Sequence, residues 1–197
     1  DGDMRMPRII DETARGCEFY TLEDNFYKER KIFMTGFINE EVANELIKQL
    51  MYLNQENPEK EITLYINSSG GELVSGLAVY DCIRLMKAKV RTVCTGMAAS
   101  IASIIFLAGD KREMLPHTQI MIHDPTFTKY DVGGKKPLEL QMELKKIFQA
   151  RDALCEVISE RTGRSREEVY EKTKTDSFFS VIEALEFGLA TGVVTTL

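Results

Sequence analysis

One serine and one histidine of this chain have the residue types and the neighbours that nucleophilic catalysis requires. Ser100 ends the small-residue segment Gly96-Met97-Ala98-Ala99-Ser100, and His123 lies in Met121-Ile122-His123-Asp124-Pro125. A serine hydroxyl is a weak nucleophile unless a base takes its proton during the attack. Histidine titrates in the range that suits such a base. The chain has only two histidines, His117 and His123, so few bases are available.

Taken from the residues alone, each of these side chains has a commoner structural explanation. Ser100 stands where an apolar helix begins, and serine is a favoured N-cap residue. His123 ends an apolar strand pattern and could be a core histidine bonded to a carbonyl. If Ser100 does act as a nucleophile, the NH groups of Ile101 and Gly71 could stabilise an oxyanion, provided that the Gly70-Gly71 segment lies alongside. The spacing alone does not establish that arrangement.

The composition restricts the class of protein. A chain of 197 residues with 44% hydrophobic content is enough for one domain, residues 1–197, with a substantial core. The formal net charge of -6 argues against nucleic-acid binding. The four cysteines lie far apart, which predicts neither a metal site nor a disulfide framework and favours a reducing, cytoplasmic setting. The longest apolar run, residues 97–108, is too short to span a membrane, so a soluble protein without membrane contact is expected.

Alternating apolar and polar runs predict an α/β organisation. Strands are expected at residues 31–34, 61–66, 90–95 and 119–123, the second ending at Asn67-Ser68-Ser69-Gly70-Gly71 and the third followed by a turn at Gly96. Residues 124–136 lack periodicity and predict a loop. Helices are expected after Asn39, over residues 73–87, over residues 100–108 and from Pro137 to Gly163.

Two further helices are predicted near the end of the chain. Ser165 with Glu168 and Ser180 with Glu183 each match the capping box Ser-x-x-Glu, and Gly188 suits the end of the second helix. Asp176 lies between them and by itself is best explained as a residue that precedes a helix. The helix that begins at Pro137 is expected to bury one stripe: Leu140, Leu144, Ile147, Leu154 and Ile158.

Five segments together resemble the Clp protease proteolytic subunits, the ClpP family of serine peptidases, and occur in the family's order. They are residues 28–36, residues 56–60, Tyr65-Ile66-Asn67-Ser68-Ser69-Gly70-Gly71, Gly96-Met97-Ala98-Ala99-Ser100 and Met121-Ile122-His123-Asp124-Pro125. The likeness runs from about Pro7 to Leu189. The combination is far more specific than any one of the motifs.

The resemblance implies a role for each matching residue. Ser100 matches the nucleophile, His123 the general base and acid, and Asp176 the residue that orients the imidazole. Gly71 and Ile101 match the oxyanion-hole positions. The family also binds substrate backbone along a strand after the Gly-Gly segment and along the segment after the histidine, which implies substrate-binding residues here: Leu73, Val74, Ser75, Asp124 and Pro125.

The resemblance further implies a fold and an assembly. The expected fold is the ClpP/crotonase-like α/β fold of repeated strand-strand-helix units, with a protruding handle helix in residues 124–162 and an axial segment in residues 1–27. Heptameric rings, stacked as a tetradecamer, would enclose a chamber for unfolded polypeptide. An AAA+ unfoldase would feed the chamber with ATP, so this subunit is expected to need no cofactor of its own.

Several positions depart from the family pattern, and most of them bear on partners. Ser69 replaces a proline, Met97 and Asp124 each replace a glutamine, and the segment from Tyr130 to Lys136 is longer than usual. Thr63 and Glu113 replace residues that are often aromatic in the unfoldase-docking pocket, and Lys174-Thr175 replaces an Asp-Arg pair at the contact between rings. These changes suggest a divergent paralogue that works with a more typical second subunit. A weakly active structural or regulatory ring subunit is one alternative function, and a crotonase-type acyl-CoA enzyme is another.

Overall fold

A computed structural model describes residues 7–127 and 132–196. The strands in this part of the chain are β1 (Ile9–Thr13), β2 (Gly16–Tyr20), β3 (Lys31–Ile38), β4 (Ile62–Gly71), β5 (Val90–Ala99), β6 (Lys111–Met114), β7 (Gln119–Ile122), β8 (Ser177–Phe179) and β9 (Gly192–Val193). The helices are α1 (Leu22–Lys28), α2 (Glu40–Glu56), α3 (Leu73–Leu85), α4 (Ile101–Leu107), α5 (Pro137–Thr162), α6 (Arg166–Thr173) and α7 (Val181–Phe187).

The main sheet has seven strands and is almost entirely parallel. Its order is β3-β4-β5-β6-β9, with β7 paired in parallel with β5 beyond the end of β6 and β8 antiparallel to β7. The hairpin β1–β2 forms a separate two-stranded sheet. The carboxyl ends of parallel strands meet at one edge, which is where ligand sites form in sheets of this kind. The mixed α/β architecture with a mostly parallel sheet agrees with the predicted fold class.

Helix α4 lies at the centre of the core. All seven of its residues, from Ile101 to Leu107, are buried, as expected for a helix that is apolar on every side. It packs against α3, α5, β4 and β5. Its approach to α3 depends on Gly76, because a Cβ at that position would overlap the side chain of Ile101. The start of α4 is therefore fixed from several directions.

The strands β4 and β5 are longer than the sequence predicts. The expected end of β4 at Asn67 and the expected turn at Gly96 are both wrong, because pairing continues to Gly71 and Ala99 with a register shift in each ladder. Asn67 Oδ1 accepts a hydrogen bond from the NH of Met97 at 3.1 Å across the shift. The Ser68 hydroxyl donates to the Gly36 carbonyl at 2.5 Å and accepts from the Gly70 NH at 3.1 Å. These side chains supply partners where the regular ladder is interrupted.

The predicted helix ends are confirmed. Asn39 accepts a hydrogen bond from the NH of Val42, both capping boxes form, and Gly163 and Gly188 end their helices in the left-handed region.

Leu140 and Leu144, expected on the buried stripe of α5, are exposed, since only its second half contacts the core and buries Leu154, Cys155 and Ile158. Residues 128–131 of the predicted loop at 124–136 lie outside the described residues, and they include the start of the longer segment that begins at Tyr130.

A buried arginine joins the ends of three helices. Arg112 is 7% exposed, and its guanidinium donates to the carbonyls of Leu189, Gly188, Gly109 and Arg161. These carbonyls lie at or just beyond the ends of α7, α4 and α5, where no intrahelical donor remains. Burial, together with the charges of Arg161 and Arg84, lowers the pKa of Arg112 to about 10, so the group is still charged at neutral pH.

We expect Arg112→Met to lower the free energy of unfolding by about 3–5 kcal/mol, because it leaves several buried carbonyls without a donor. In a chain of this size, the thermal midpoint should fall by roughly 6–20 °C. Differential scanning calorimetry of the two proteins measures the change. Arg15→Met, at an exposed position, is the control and should leave the midpoint within about 2 °C of wild type. A midpoint for Arg112→Met equal to that of the control would contradict this role.

Candidate active site

Ser100 occupies a strained turn at the carboxyl end of β5. Its φ of 56° and ψ of -128° lie in a region that non-glycine residues rarely adopt, and it directly precedes α4. The Ser100 NH donates to the Met121 carbonyl at 2.9 Å, which ties the turn to β7. Its side chain makes no capping hydrogen bond, so the hydroxyl does not serve as the helix cap that its position suggested. The hydroxyl is therefore available to a partner outside the helix.

His123 directly follows β7 and lies within hydrogen-bonding distance of Ser100. Its Nε2 is 2.8 Å from Ser100 Oγ. Its Nδ1 is 3.2 Å from Asp176 Oδ1. Both ring nitrogens thus face side chains, unlike a core histidine held by a carbonyl. An imidazole that donates from Nδ1 to the carboxylate leaves Nε2 free to accept the serine proton.

Asp176 reaches His123 because of the register between β7 and β8. Ile122 pairs with Ser177 in this antiparallel ladder. Continuing the register by one residue places His123 opposite Asp176. The Asp176 side chain is 63% exposed, whereas the His123 side chain is 19% exposed. The structure therefore brings together the three residues that the sequence singled out, from the end of β5, the end of β7 and the start of β8.

The Gly70-Gly71 segment lies directly against Ser100. Gly70 has a φ of +110°, and a Cβ on it would lie 2.8 Å from Ser100 Cβ and 3.0 Å from the Ala99 carbonyl oxygen. A Cβ on Gly71 would overlap the Ile38 carbonyl of β3. The juxtaposition that the spacing could not establish is therefore present. The two expected oxyanion donors are the NH groups of the next residue after each of the two in contact: Gly71, the last residue of β4, and Ile101, the first residue of α4.

The segments expected to bind substrate have different conformations. Leu73, Val74 and Ser75 form the first turn of α3, as the helix predicted from residue 73 requires, so the extended strand that the family resemblance implied there is wrong. The helix starts immediately after β4, since the Glu72 NH bonds the Ile38 carbonyl and the Gly76 NH bonds the Glu72 carbonyl. Asp124 and Pro125 follow β7 outside any regular element and are half-buried. The Asp124 NH donates to the Thr173 carbonyl at the end of α6, at 2.8 Å.

Two residues next to the site were not identified from the sequence. Asn67 and Ser68 were taken as part of a turn, yet both are in β4, where their side chains join β5 and β3 to the strand that carries Gly70. Gly96 provides the space for the Asn67 side chain, because a Cβ there would overlap it. The only sequence signal for this role is that an asparagine and a glycine occur about thirty residues apart. Such a pair leaves no periodic pattern in the sequence near either residue.

The outer face of the sheet carries a charged cluster at one of the positions that depart from the family pattern. Glu113 is 7% exposed. It lies 2.5 Å from Arg91 and 2.9 Å from Lys111. Burial acts to raise the pKa of Glu113, but the hydrogen bonds from Lys111 and Arg91 outweigh it and hold the pKa below its usual value. The carboxylate therefore stays ionised, and this part of the face is polar.

Among residues 7–127 and 132–196, no group of three or more His, Cys, Asp or Glu side chains could hold a metal ion. All four cysteines are unpaired, and burial raises the pKa of the Cys94 and Cys82 thiols, which makes them poor nucleophiles at neutral pH. No helix in the same residues is long and apolar enough to cross a membrane.

Comparison with models of protein families gives a match that covers nearly the whole chain. The Clp protease family model matches residues 14–197. The matched region includes every strand of the main sheet and all the residues placed around Ser100. On this match and the agreeing fold, the chain belongs to the Clp protease family of peptidases.

Proposed function

We propose that this protein is the proteolytic subunit of an ATP-dependent Clp protease, a serine endopeptidase that cleaves unfolded polypeptides inside an oligomeric chamber. The observation that carries the proposal is the unbroken line of contacts from Ser100 Oγ to His123 Nε2 and from His123 Nδ1 to Asp176. Such a line allows a serine to be deprotonated as it attacks. The family match favours peptide hydrolysis over the crotonase-type alternative.

In the proposed acylation step, Ser100 Oγ attacks the carbonyl carbon of the scissile peptide bond. His123 Nε2 takes the serine proton, and Asp176 stabilises the resulting imidazolium and holds its orientation. The carbonyl oxygen becomes an oxyanion that accepts hydrogen bonds from the NH groups of Gly71 and Ile101. When the carbon–nitrogen bond breaks, His123 gives the proton to the departing amine. An acyl ester on Ser100 remains.

Water completes the proposed cycle by the same route. His123 removes a proton from a water molecule, the hydroxide attacks the ester carbon, and the oxyanion again binds the two NH groups. Collapse of the intermediate breaks the ester, and His123 returns the proton to Ser100 Oγ. None of these steps calls on a metal or a nucleotide in this subunit. ATP would be used by the partner unfoldase.

The substrate is proposed to bind as an extended chain between two backbone segments. Gly70 and Gly71 end β4 on one side of Ser100, and Asp124 and Pro125 follow β7 on the other. β4 pairs with β5 only as far as Ser68, so the later residues of β4 have no β5 partner. Main-chain pairing there would tolerate many side chains, as a degradative peptidase requires. The half-buried Asp124 next to His123 then lies close to substrate.

A second candidate function is a ring subunit that works mainly through a more typical paralogue. The cluster of Glu113 with Arg91 and Lys111 supports it. It places the charge of Glu113 in the same register row as the exposed Phe33 and its stacking partner Tyr65, where the family resemblance implies an aromatic docking pocket. The exposed Lys174 and Thr175, in place of an Asp-Arg pair, also change the expected contact between rings. In this function, chemistry at Ser100 would depend on the mixed assembly.

Peptide hydrolysis measured in defined assemblies separates the two functions. The protein is purified alone and together with a typical Clp proteolytic subunit whose own nucleophile is replaced by alanine, and each assembly is sized by light scattering. We expect the mixed particle to cleave a fluorogenic peptide and, with an unfoldase and ATP, an unfolded protein. Hydrolysis by the protein alone would show that no paralogue is needed. A mixed ring without hydrolysis would contradict the peptidase function.

A further inference from the structure

The carboxyl end of α6 contacts the two segments that carry His123 and Asp176. The Lys172 carbonyl accepts a hydrogen bond from Ser177 Oγ at 2.6 Å. The neighbouring Thr173 carbonyl accepts one from the Asp124 NH at 2.8 Å. The last carbonyls of a helix have no partner within the helix, so they are available to outside donors. Here one donor follows His123 and the other follows Asp176.

The Asp176 carboxylate has little else to fix it. It is at the end of the short exposed connection Lys174-Thr175-Asp176 between α6 and β8. Among the described residues, His123 is the only hydrogen-bonding or ion-pair partner of its side chain. A side chain that is 63% exposed can adopt other rotamers and backbone positions at small cost. The position of Asp176 therefore depends on what holds the backbone on either side of it.

On one side, the helix holds that backbone through the hydrogen bond between the Lys174 NH and the Tyr170 carbonyl. On the other side, Ser177 pairs with Ile122 at the end of the β7–β8 ladder, and its hydroxyl returns to Lys172. The hydrogen bond from the Ser177 hydroxyl to the Lys172 carbonyl closes a small loop, and Asp176 is the last residue within that loop. Without this hydrogen bond, the three exposed residues between the helix and β8 would be less constrained, although the Lys172 ammonium would still lie over the Phe179 ring of β8.

We propose that Ser177 is a positioning residue for the proposed reaction: its hydroxyl, bonded to the Lys172 carbonyl, fixes Asp176 at the Nδ1 edge of His123. The proposal rests on the function proposed above and adds to it a residue that touches neither substrate nor imidazole. The end of α6 then sets the distance between His123 and Asp176, because the Thr173 carbonyl holds the residue after His123 and the Lys172 carbonyl holds the residue after Asp176. A small displacement of Asp176 would leave the imidazole free to turn, and misplacement of this kind is costly to the rate.

The test is steady-state peptide hydrolysis by the complete assembly. We expect Ser177→Ala to lower kcat about tenfold with KM within about twofold of wild type, since the change acts on the chemical step and not on substrate binding. Ser177→Thr keeps the hydroxyl and should restore kcat to within about twofold of wild type. Ser180→Ala is the matched control, because Ser180 caps α7 and bonds only Glu183 among the described residues. Its kcat should be unchanged.

A double variant shows whether Ser177 acts through Asp176. In the Asp176→Ala background, Ser177→Ala should change kcat by less than about twofold, because the side chain that it positions is gone. A further tenfold loss in that background, or a wild-type kcat in Ser177→Ala alone, would overturn the proposal and leave the peptidase function intact. Absence of hydrolysis by the wild-type assembly would overturn both. If Ser177→Ala does not fold, Ser177→Cys, a weaker donor of similar size, carries the same expected loss.

Discussion

Ser100→Ala is expected to lower peptide hydrolysis about ten-thousand-fold or more, while the protein keeps its fold. The loss is large because, among the described residues, Ser100 Oγ is the only hydroxyl bonded to Nε2 of His123, and removal of the nucleophile of such a unit costs almost as much as removal of the whole unit. The fold should survive because Ser100 Oγ caps no helix and bonds only His123 among the described residues. Initial rates with a fluorogenic peptide measure the effect.

The control for this result is Ser180→Ala, which removes an exposed serine hydroxyl that caps α7 and bonds Glu183 instead of a site residue. Its rate should stay within about twofold of wild type, and circular dichroism should show both variants folded. A Ser100→Ala variant that is folded and retains more than about one per cent of the rate would contradict the assignment of Ser100 as the nucleophile. Another nucleophile would then have to be sought.

Gly70→Ala is expected to lower kcat/KM about a hundredfold or more. The backbone there has a φ of +110°, which costs an alanine about 1–3 kcal/mol. The new methyl would also stand 2.8 Å from Ser100 Cβ, so either Ser100 or the end of β4 must move. Each movement displaces the nucleophile from the proposed oxyanion donors, where a single donor is worth about a hundredfold or more in rate. Peptide hydrolysis and the thermal midpoint are measured together.

Gly16→Ala shows whether the loss in Gly70→Ala comes from backbone strain or from the close contact with Ser100. Gly16 has a φ of +125° and nothing within 4 Å of where a Cβ would lie. It therefore shares the unfavourable backbone but lies in the separate hairpin β1–β2. We expect hydrolysis by Gly16→Ala at nearly the wild-type rate. A Gly70→Ala protein as active as Gly16→Ala would show that the close contact between Gly70 and Ser100 is not needed for the reaction.

Local sequence signals were sufficient for most helix ends in this fold. Capping by Asn39, Ser165 and Ser180 and the left-handed glycines Gly163 and Gly188 involve residues three or four positions apart, and these interactions form here as predicted. The strands that went unpredicted are short: β1, β2, β6, β8 and β9 have five residues or fewer. A segment of that length shows little periodicity. β6, β8 and β9 form because strands distant in the sequence pair with them, whereas β1 and β2 pair with each other in a hairpin.

The same difference between local signals and long-range pairing explains which parts of the candidate site could be predicted from the sequence. Ser100 and His123 were found from their neighbours, but the short distance between them comes from the pairing of β5 with β7, as Ala99 pairs with Met121. Asp176 depends on β8, which the sequence did not predict, so its place beside His123 came only from the family resemblance. Asn67 and Ser68 were misinterpreted because their partners, Met97 and Gly36, are some thirty residues away. Pairing between distant segments was the missing information.

The central claim is that His123 activates Ser100, and covalent labelling of the intact assembly tests it most directly. The protein is treated with a fluorophosphonate, which esterifies activated serines, and the modified residue is identified by mass spectrometry. We predict one adduct per chain, on Ser100, and at least a hundredfold slower labelling in His123→Ala. An adduct on another residue, or labelling of Ser100 at the same rate with and without His123, would contradict the account.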